Sequence, residues 1–421
     1  MIWAYLLEVG YNSVMKEKVK TVLIFGAGAS YDCGNPTKIR IPMSRDIYNM
    51  GAIDKIDQLR SAPTTWSYIR SRASSVQITI QTEFEGNTEK YLDSVWDNPR
   101  EQQFMIDSLY YLRHLTSVGE VISGNTNNYQ KLFDWVIKKE EIRLSDVISF
   151  NYDTILDSTF CPRFGIEDNP KSYLGLNRSG PRLIKPHGSA NWYVKIPVPD
   201  HGKLAQYSDS HRRSMEKVRL CRDFILQPDI DIDQINVGDA GRISGLISDP
   251  GNILPRPCII LPLLSKAVVT NVFPEIMQAT EDAISKADHL ILIGYRGADD
   301  DFTNILSNRL SVGSKKLVVS TVGMGSAVEI RDTLVKLGAT GLAGFAFTGG
   351  FTRFIDVLNS QYSQSVVDFV GDGYLCVRDF RIKKDFMEQW VARPISDSGV
   401  LLSNDFERLV KGQEIAPGAG F

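Results

Sequence analysis

A series of short apolar runs, each closed by glycine or a polar turn, most constrains what this chain can fold into. The runs are 20–28 (KTVLIFGAG), 146–150 (DVISF), 182–185 (RLIK), 258–261 (CIIL), 289–294 (HLILIG) and 315–320 (KKLVVS). Runs this short, without polar alternation, read as strands covered on both faces, the signature of a parallel sheet. Stretches 271–287, 302–310 and 326–337 carry helical patterning between them. Alternation of such strands and helices predicts an α/β fold with a Rossmann-like, doubly wound, mainly parallel sheet. Its ligand crevice should lie beyond the carboxyl ends of the strands.

This core is expected over residues 20–360. Within it, strand signals thin out over 45–141, where 103–115 and 129–139 space apolar residues helically, predicting a helical insertion that roofs the crevice. Residues 197–254 are a polar insertion with a basic tract at 211–222 and an acidic one at 229–233. A C-terminal extension, 361–421, follows the last expected sheet element and offers an oligomer or partner surface. Residues 1–19 form an N-terminal extension. Either Met15 is the native start, or Trp3, Leu6, Leu7 and Val14 line an amphipathic helix that packs on a neighbouring subunit.

Charge and cysteine usage narrow the function classes. Lys plus Arg number 47 against 50 Asp plus Glu, a net charge of −3, so no overall field draws nucleic acid to the chain. The 5 cysteines stand singly, without CxxC pairs, as expected of free thiols in a reducing compartment. The first residues are apolar, yet they lack a basic leader region and are too short and interrupted to span a bilayer. A cytoplasmic location follows as the expectation.

Three motifs fall where an open α/β sheet builds its site. Gly26, Ala27, Gly28, Ala29 and Ser30 follow the first strand and open a helix, so their amides and the helix dipole could cradle a pyrophosphate. Tyr31 occupies the third glycine position of the dehydrogenase fingerprint and should obstruct close strand–helix packing, which disfavours a hydride-transfer enzyme. FNYDTILD (150–157) places Asn151, Tyr152 and Asp153 at the end of another strand, Asp153 being placed to cap the following helix. KPHGSANW (185–192) delivers His187, Gly188 and Ser189. Gly294 and Tyr295 end a further run. Arg45 reads equally as a ligand contact or a surface residue, and 299–301 as a solvated helix start.

In order, GAGAS, NYD and KPHGS resemble the Sir2-like family, as do ILIGYRGADDDF (291–302) and FTGGFTRFIDVL (348–359). The resemblance spans roughly residues 20–360 and implies NAD as substrate, with Gly294 and Tyr295 bordering its adenosine. The two CxxC pairs that bind zinc in deacylating sirtuins are missing, and Pro186 stands where an aliphatic residue usually precedes the histidine. Sir2-like proteins without the zinc module look like NAD glycohydrolases of bacterial antiviral defence. That likeness implies a homo-oligomer and a partner such as a HerA-type ATPase or a short Argonaute.

Nicotinamide leaves NAD as a neutral ring, so the chemistry needs no acid and no metal. It needs preorganised dipoles beside an oxocarbenium-like ribose. Asn151 suits orientation of the attacking water or ribose, and His187 suits acceptance of a proton near neutral pH. The competing classes are a non-catalytic NAD or ADP-ribose sensor and an NAD-dependent protein deacylase or ADP-ribosyl transferase. The joint presence of Asn151 and His187 favours turnover.

Overall fold

A computed structural model describes residues 18–34, 40–57, 67–96, 98–117, 127–140, 142–167, 169–176, 179–225, 230–239, 242–243, 246–247, 249, 251–261, 274–295, 300–310, 316–321, 343–348, 350–359 and 390–394. The expectations for residues 1–17 and for a helix at 326–337 lie outside these, as does most of the C-terminal extension.

Among the described residues the chain forms an α/β fold around a seven-stranded sheet, joined to a three-stranded antiparallel one. Its strands are β1 (Val19–Phe25), β2 (Ile142–Ser149), β3 (Arg182–Ile184), β4 (Gly188–Pro197), β5 (Ile235–Val237), β6 (Ile253–Ile259), β7 (His289–Ile293), β8 (Lys316–Thr321), β9 (Ala343–Thr348) and β10 (Trp390–Pro394). The large sheet runs β10-β9-β8-β7-β1-β2-β3, parallel throughout except for β10, which pairs antiparallel with β9. The chain moves outward from β1 to β3, then returns to the other side of β1 at β7. This is the doubly wound order, and its switch point lies between β1 and β7. Val22 to Phe25 and Leu290 to Ile293 are fully buried, as expected for strands enclosed on both faces.

Helices flank the sheet. Pro274–Lys286 packs on β1, β2 and β3, and Asn128–Lys138 on β2 and on Ile155–Phe164. Among the described residues of 45–141 lie the helices Met50–Asp57, Ser67–Glu83, Thr88–Trp96 and Gln102–Ser117 ahead of Asn128–Lys138. Gln102–Ser117 lies on β4 and β6 of the small sheet. Among the described residues no helix is long and apolar enough to cross a membrane.

Two expectations are corrected. The run 258–261 does not extend the parallel sheet: its first residues end β6, which pairs antiparallel with β4 at the edge of the small sheet, ordered β5-β4-β6. Pro255 and Pro257 lack the N–H a central strand must donate, and an edge accommodates them. Nor is the sheet complete before residue 361, because β10 within the C-terminal extension forms its edge. The polar insertion contributes β5 and the helix Ser210–Leu220. Lys217 of that helix is buried, its Nζ donating to the carbonyls of Leu246 (3.2 Å) and Ile253 (3.0 Å). Burial lowers its pKa.

Candidate functional site

At the switch point the chain's own backbone packs with no room for a side chain. Gly26 N–H donates to the Ile293 carbonyl and Gly28 N–H to the Gly294 carbonyl, both at 3.0 Å. A Cβ on Gly294 would stand 2.1 Å from the Ala29 nitrogen, and φ there is +63°. The close approach that a fingerprint would assign to a third glycine is made here by Gly294 against the first loop. Tyr31 ends the short helix Ala27–Tyr31, half-buried, with the Arg40 guanidinium 4.6 Å from its ring centroid. Ala29 N–H donates to Gly26 O at 2.9 Å, so three amides of the loop are engaged within the protein, while Ala27 at its tip is exposed.

Asn151 lies two residues past the end of β2, buried beside this loop. Its Nδ2 donates to Ser30 Oγ at 2.8 Å, whereas its Oδ1 is buried without a hydrogen-bond partner. Ser30 Oγ also meets the Tyr129 hydroxyl at 3.0 Å. Asp153 Oδ1 accepts from Ile155 N–H (3.0 Å), so it satisfies the first turn of Ile155–Phe164 although Thr154 is the formal cap. Burial raises the Asp153 pKa, and the charge of Lys185 opposes that rise.

Beneath these groups sits Lys185, a residue given no role by the sequence reading. Its fully buried Nζ donates to the Asp153 carbonyl, Asp157 Oδ2 and Ser189 Oγ, each at 2.8 Å. Tyr173 holds the other Asp157 oxygen at 3.0 Å. Lys185 thus joins the NYD and KPHGS segments, and Ser30 joins NYD to the first loop through Asn151. Asp157, one helical turn after Asp153 in FNYDTILD, was the only available sign of a buried cation partner.

His187 occupies a turn between the two sheets. Gly188 N–H closes it onto the Lys185 carbonyl at 3.0 Å, with Pro186 at the second turn position, where its fixed φ is favourable. This accounts for the proline. Gly188 has φ +76°, and a Cβ there would lie 1.9 Å from the Cys258 carbonyl oxygen. The partly exposed imidazole lies edge-on to Phe150, ring centroids 5.0 Å apart, and 6.0 Å from the Tyr152 ring. Tyr152 anchors the turn from the side, its hydroxyl donating to Ile260 O at 2.7 Å and its carbonyl accepting from Ala190 N–H at 2.7 Å.

The structure therefore brings Ser30, Asn151, Asp153, His187, Gly188 and Ser189 to the carboxyl ends of β1, β2 and β3. Gly294 belongs to the same junction through its backbone. Tyr295 is buried, its ring packed on Phe150 (5.1 Å) and Phe302 (5.2 Å), so it supports the His187 side of the site from behind. Arg45 is exposed and pairs with Asp46 at 3.4 Å, away from this network. Residues 296–299 lie outside the described residues. Among those described, no group of three or more His, Cys, Asp or Glu is placed to hold a metal ion.

No protein-family model matches the chain, and no curated protein matches it. Among solved structures, the chain is similar to a Sir2 variant with a deacetylated p53 peptide and 3'-O-acetyl ADP ribose, at TM-score 0.38 and 14% identity over 83% of this chain and 96% of that one. It is also similar to Sir2 with a p53 peptide and NAD+ (TM-score 0.35, 14% identity, 85% and 97% covered). A Sir2 homologue in complex with NAD gives TM-score 0.34 and 13% identity over 77% and 93% of the two chains.

Proposed function

We propose that this chain binds NAD and hydrolyses its nicotinamide–ribose bond. The observation that carries the reading is Asn151: a buried amide whose donor side is tied to Ser30 and whose acceptor side is unpaired. A buried acceptor left open is costly unless a ligand or water completes it. An acceptor at that place suits a water molecule, because accepting one O–H turns a lone pair of the water toward the cationic ribose carbon. His187, on its turn beside Phe150, takes the second proton as the bond to oxygen forms. Nicotinamide, ADP-ribose and one proton are the products.

NAD would lie across the β1/β7 switch point, its pyrophosphate over the exposed tip at Ala27 and its nicotinamide ribose toward Asn151 and His187. With Gly26, Gly28 and Ala29 amides engaged, the helix dipole and the remaining loop groups carry phosphate recognition. Tyr152, Gly188 and Ser189 shape the ribose side and Gly294 the adenosine side, while Tyr295, expected beside the adenosine, backs Phe150 behind His187. By the motif resemblance we assign this activity to antiviral defence, held off until self-assembly or an ATPase or Argonaute partner releases it.

The test follows nicotinamide and ADP-ribose from NAD with purified protein, alone and with candidate partners. Asn151→Ala and His187→Ala should each lower turnover by ~10²–10⁴, the usual contribution of a positioned proton acceptor or orienting group. Binding of NAD without cleavage under every condition would replace this reading with a sensor, and wild-type turnover in both variants would remove these residues from the chemistry.

A further inference from the structure

We propose that Tyr129 is a positioning residue for Asn151: its phenol holds the Ser30 hydroxyl, and Ser30 in turn holds the Asn151 amide. The inference rests on Asn151 orienting the attacking oxygen.

A serine hydroxyl has one proton and two lone pairs. Ser30 Oγ meets the Tyr129 hydroxyl at 3.0 Å and accepts from Asn151 Nδ2 at 2.8 Å. Phenol and amide thus share one buried serine oxygen, so the group that holds that oxygen in place also holds the donor end of the Asn151 amide. Burial keeps the Tyr129 phenol protonated well above its ordinary range, so it stays a donor at every working pH.

The phenol is itself held in place. Tyr129 belongs to Asn128–Lys138, capped by Asn127, whose Oδ1 accepts from Gln130 N–H at 2.9 Å. Its ring is clasped edge-on by Phe25 at the end of β1 (5.0 Å) and by Phe351 of the helix Gly350–Leu358 (5.2 Å). Next to it, Asn128 Nδ2 donates to Asp32 O and Thr352 Oγ1, both at 2.9 Å, and the Asp32 carboxylate accepts from Thr352 N–H at 2.9 Å and Oγ1 at 2.7 Å. Seating of this late helix is thus transmitted through one hydroxyl to the amide at the site.

The experiment compares wild type with Tyr129→Phe, which keeps the clasped ring, and with Ser30→Ala, which removes the hub. The first readout is the side-chain amide of Asn151 in ligand-free protein, by nuclear magnetic resonance and exchange with water. In both variants exchange should quicken by about tenfold, the scale of one lost neutral hydrogen bond. The second readout is NAD cleavage, where Tyr129→Phe should lower kcat by about tenfold with KM for NAD unchanged. An Asn151 amide unchanged in Tyr129→Phe overturns the proposal whatever the activity. An amide that responds in a protein that never cleaves NAD upholds the positioning role and refutes the hydrolase reading alone.

Discussion

Replacing Lys185 by methionine keeps the length of the side chain and removes its charge. In the native protein the ammonium is fully buried and shares three acceptors at 2.8 Å, one of them the buried Asp157 carboxylate. Without it, Asp157 keeps only the Tyr173 hydroxyl at 3.0 Å, and a buried carboxylate stranded in this way costs ~3–5 kcal/mol. The Asp153 carbonyl loses its donor as well, about 1 kcal/mol more. The Ser189 hydroxyl keeps its donation to the Tyr152 carbonyl at 3.4 Å and loses only an accepted bond, which limits the loss there. Lys185→Met should therefore lower unfolding free energy by roughly 4–6 kcal/mol, a large share of a typical total. Equilibrium urea unfolding, followed by far-UV circular dichroism and intrinsic fluorescence, measures it. Adding Asp157→Asn removes the stranded charge while leaving an acceptor for Tyr173, so the double variant should recover about 2 kcal/mol relative to the sum of the single losses. A single variant within about 1 kcal/mol of wild type, or strict additivity, would refute the account of this pair.

Two further predictions probe other parts of the frame. Gly294→Ala combines a left-handed backbone with a 2.1 Å contact to the Ala29 nitrogen, so it should cost ~2–5 kcal/mol and weaken NAD binding together with stability; a loss below 1 kcal/mol in urea unfolding would show the switch point to be looser than described. Asp107, buried in Gln102–Ser117, has its pKa raised by burial to about 7, against which the Gln103 hydrogen bond works. Because the unfolded chain ionises Asp107 first, its contribution to stability is greatest below about pH 4 and declines as pH rises to about 7. Asp107→Asn should flatten the stability profile across that window and gain stability relative to wild type at pH 8, as read from unfolding midpoints at a series of pH values; parallel profiles would exclude the assignment.

The central strands were legible because β7, the last five residues of β1 and the second half of β2 are buried, and their apolar runs show it. The site segments were legible because each follows such a strand directly. What escaped reading depended on partners remote in sequence. β6 has the same apolar density as a parallel strand, and only Pro255 and Pro257 mark it as an edge. β9, AGFAFT, mixes glycine and alanine with phenylalanine, and β10 is recognisable only once β9 supplies its partner. Lys185 and Lys217 are residues that composition assigns to the surface, and their burial rests on acceptors such as Asp157 and the Ile253 carbonyl, which sequence patterning does not connect to them. Tyr129 was read as one apolar position of a helix; its hydroxyl acquires meaning only where that helix meets Ser30.

The antiparallel strand at Trp390–Pro394 also sets an order of events during synthesis. β1 finds β2 as soon as Ile142–Ser149 has left the ribosome, and β3 soon after, so the half of the sheet carrying Asn151 and His187 can assemble early. The opposite half waits. β9 keeps an open row of backbone donors and acceptors until residues 390–394 emerge to cover it, and an uncovered edge is a template for pairing with another chain. A polypeptide released before that point would hold the β1–β2–β3 half of the sheet nearly complete while its far edge invited association. The last strand therefore covers an edge that would otherwise be free to pair with another chain.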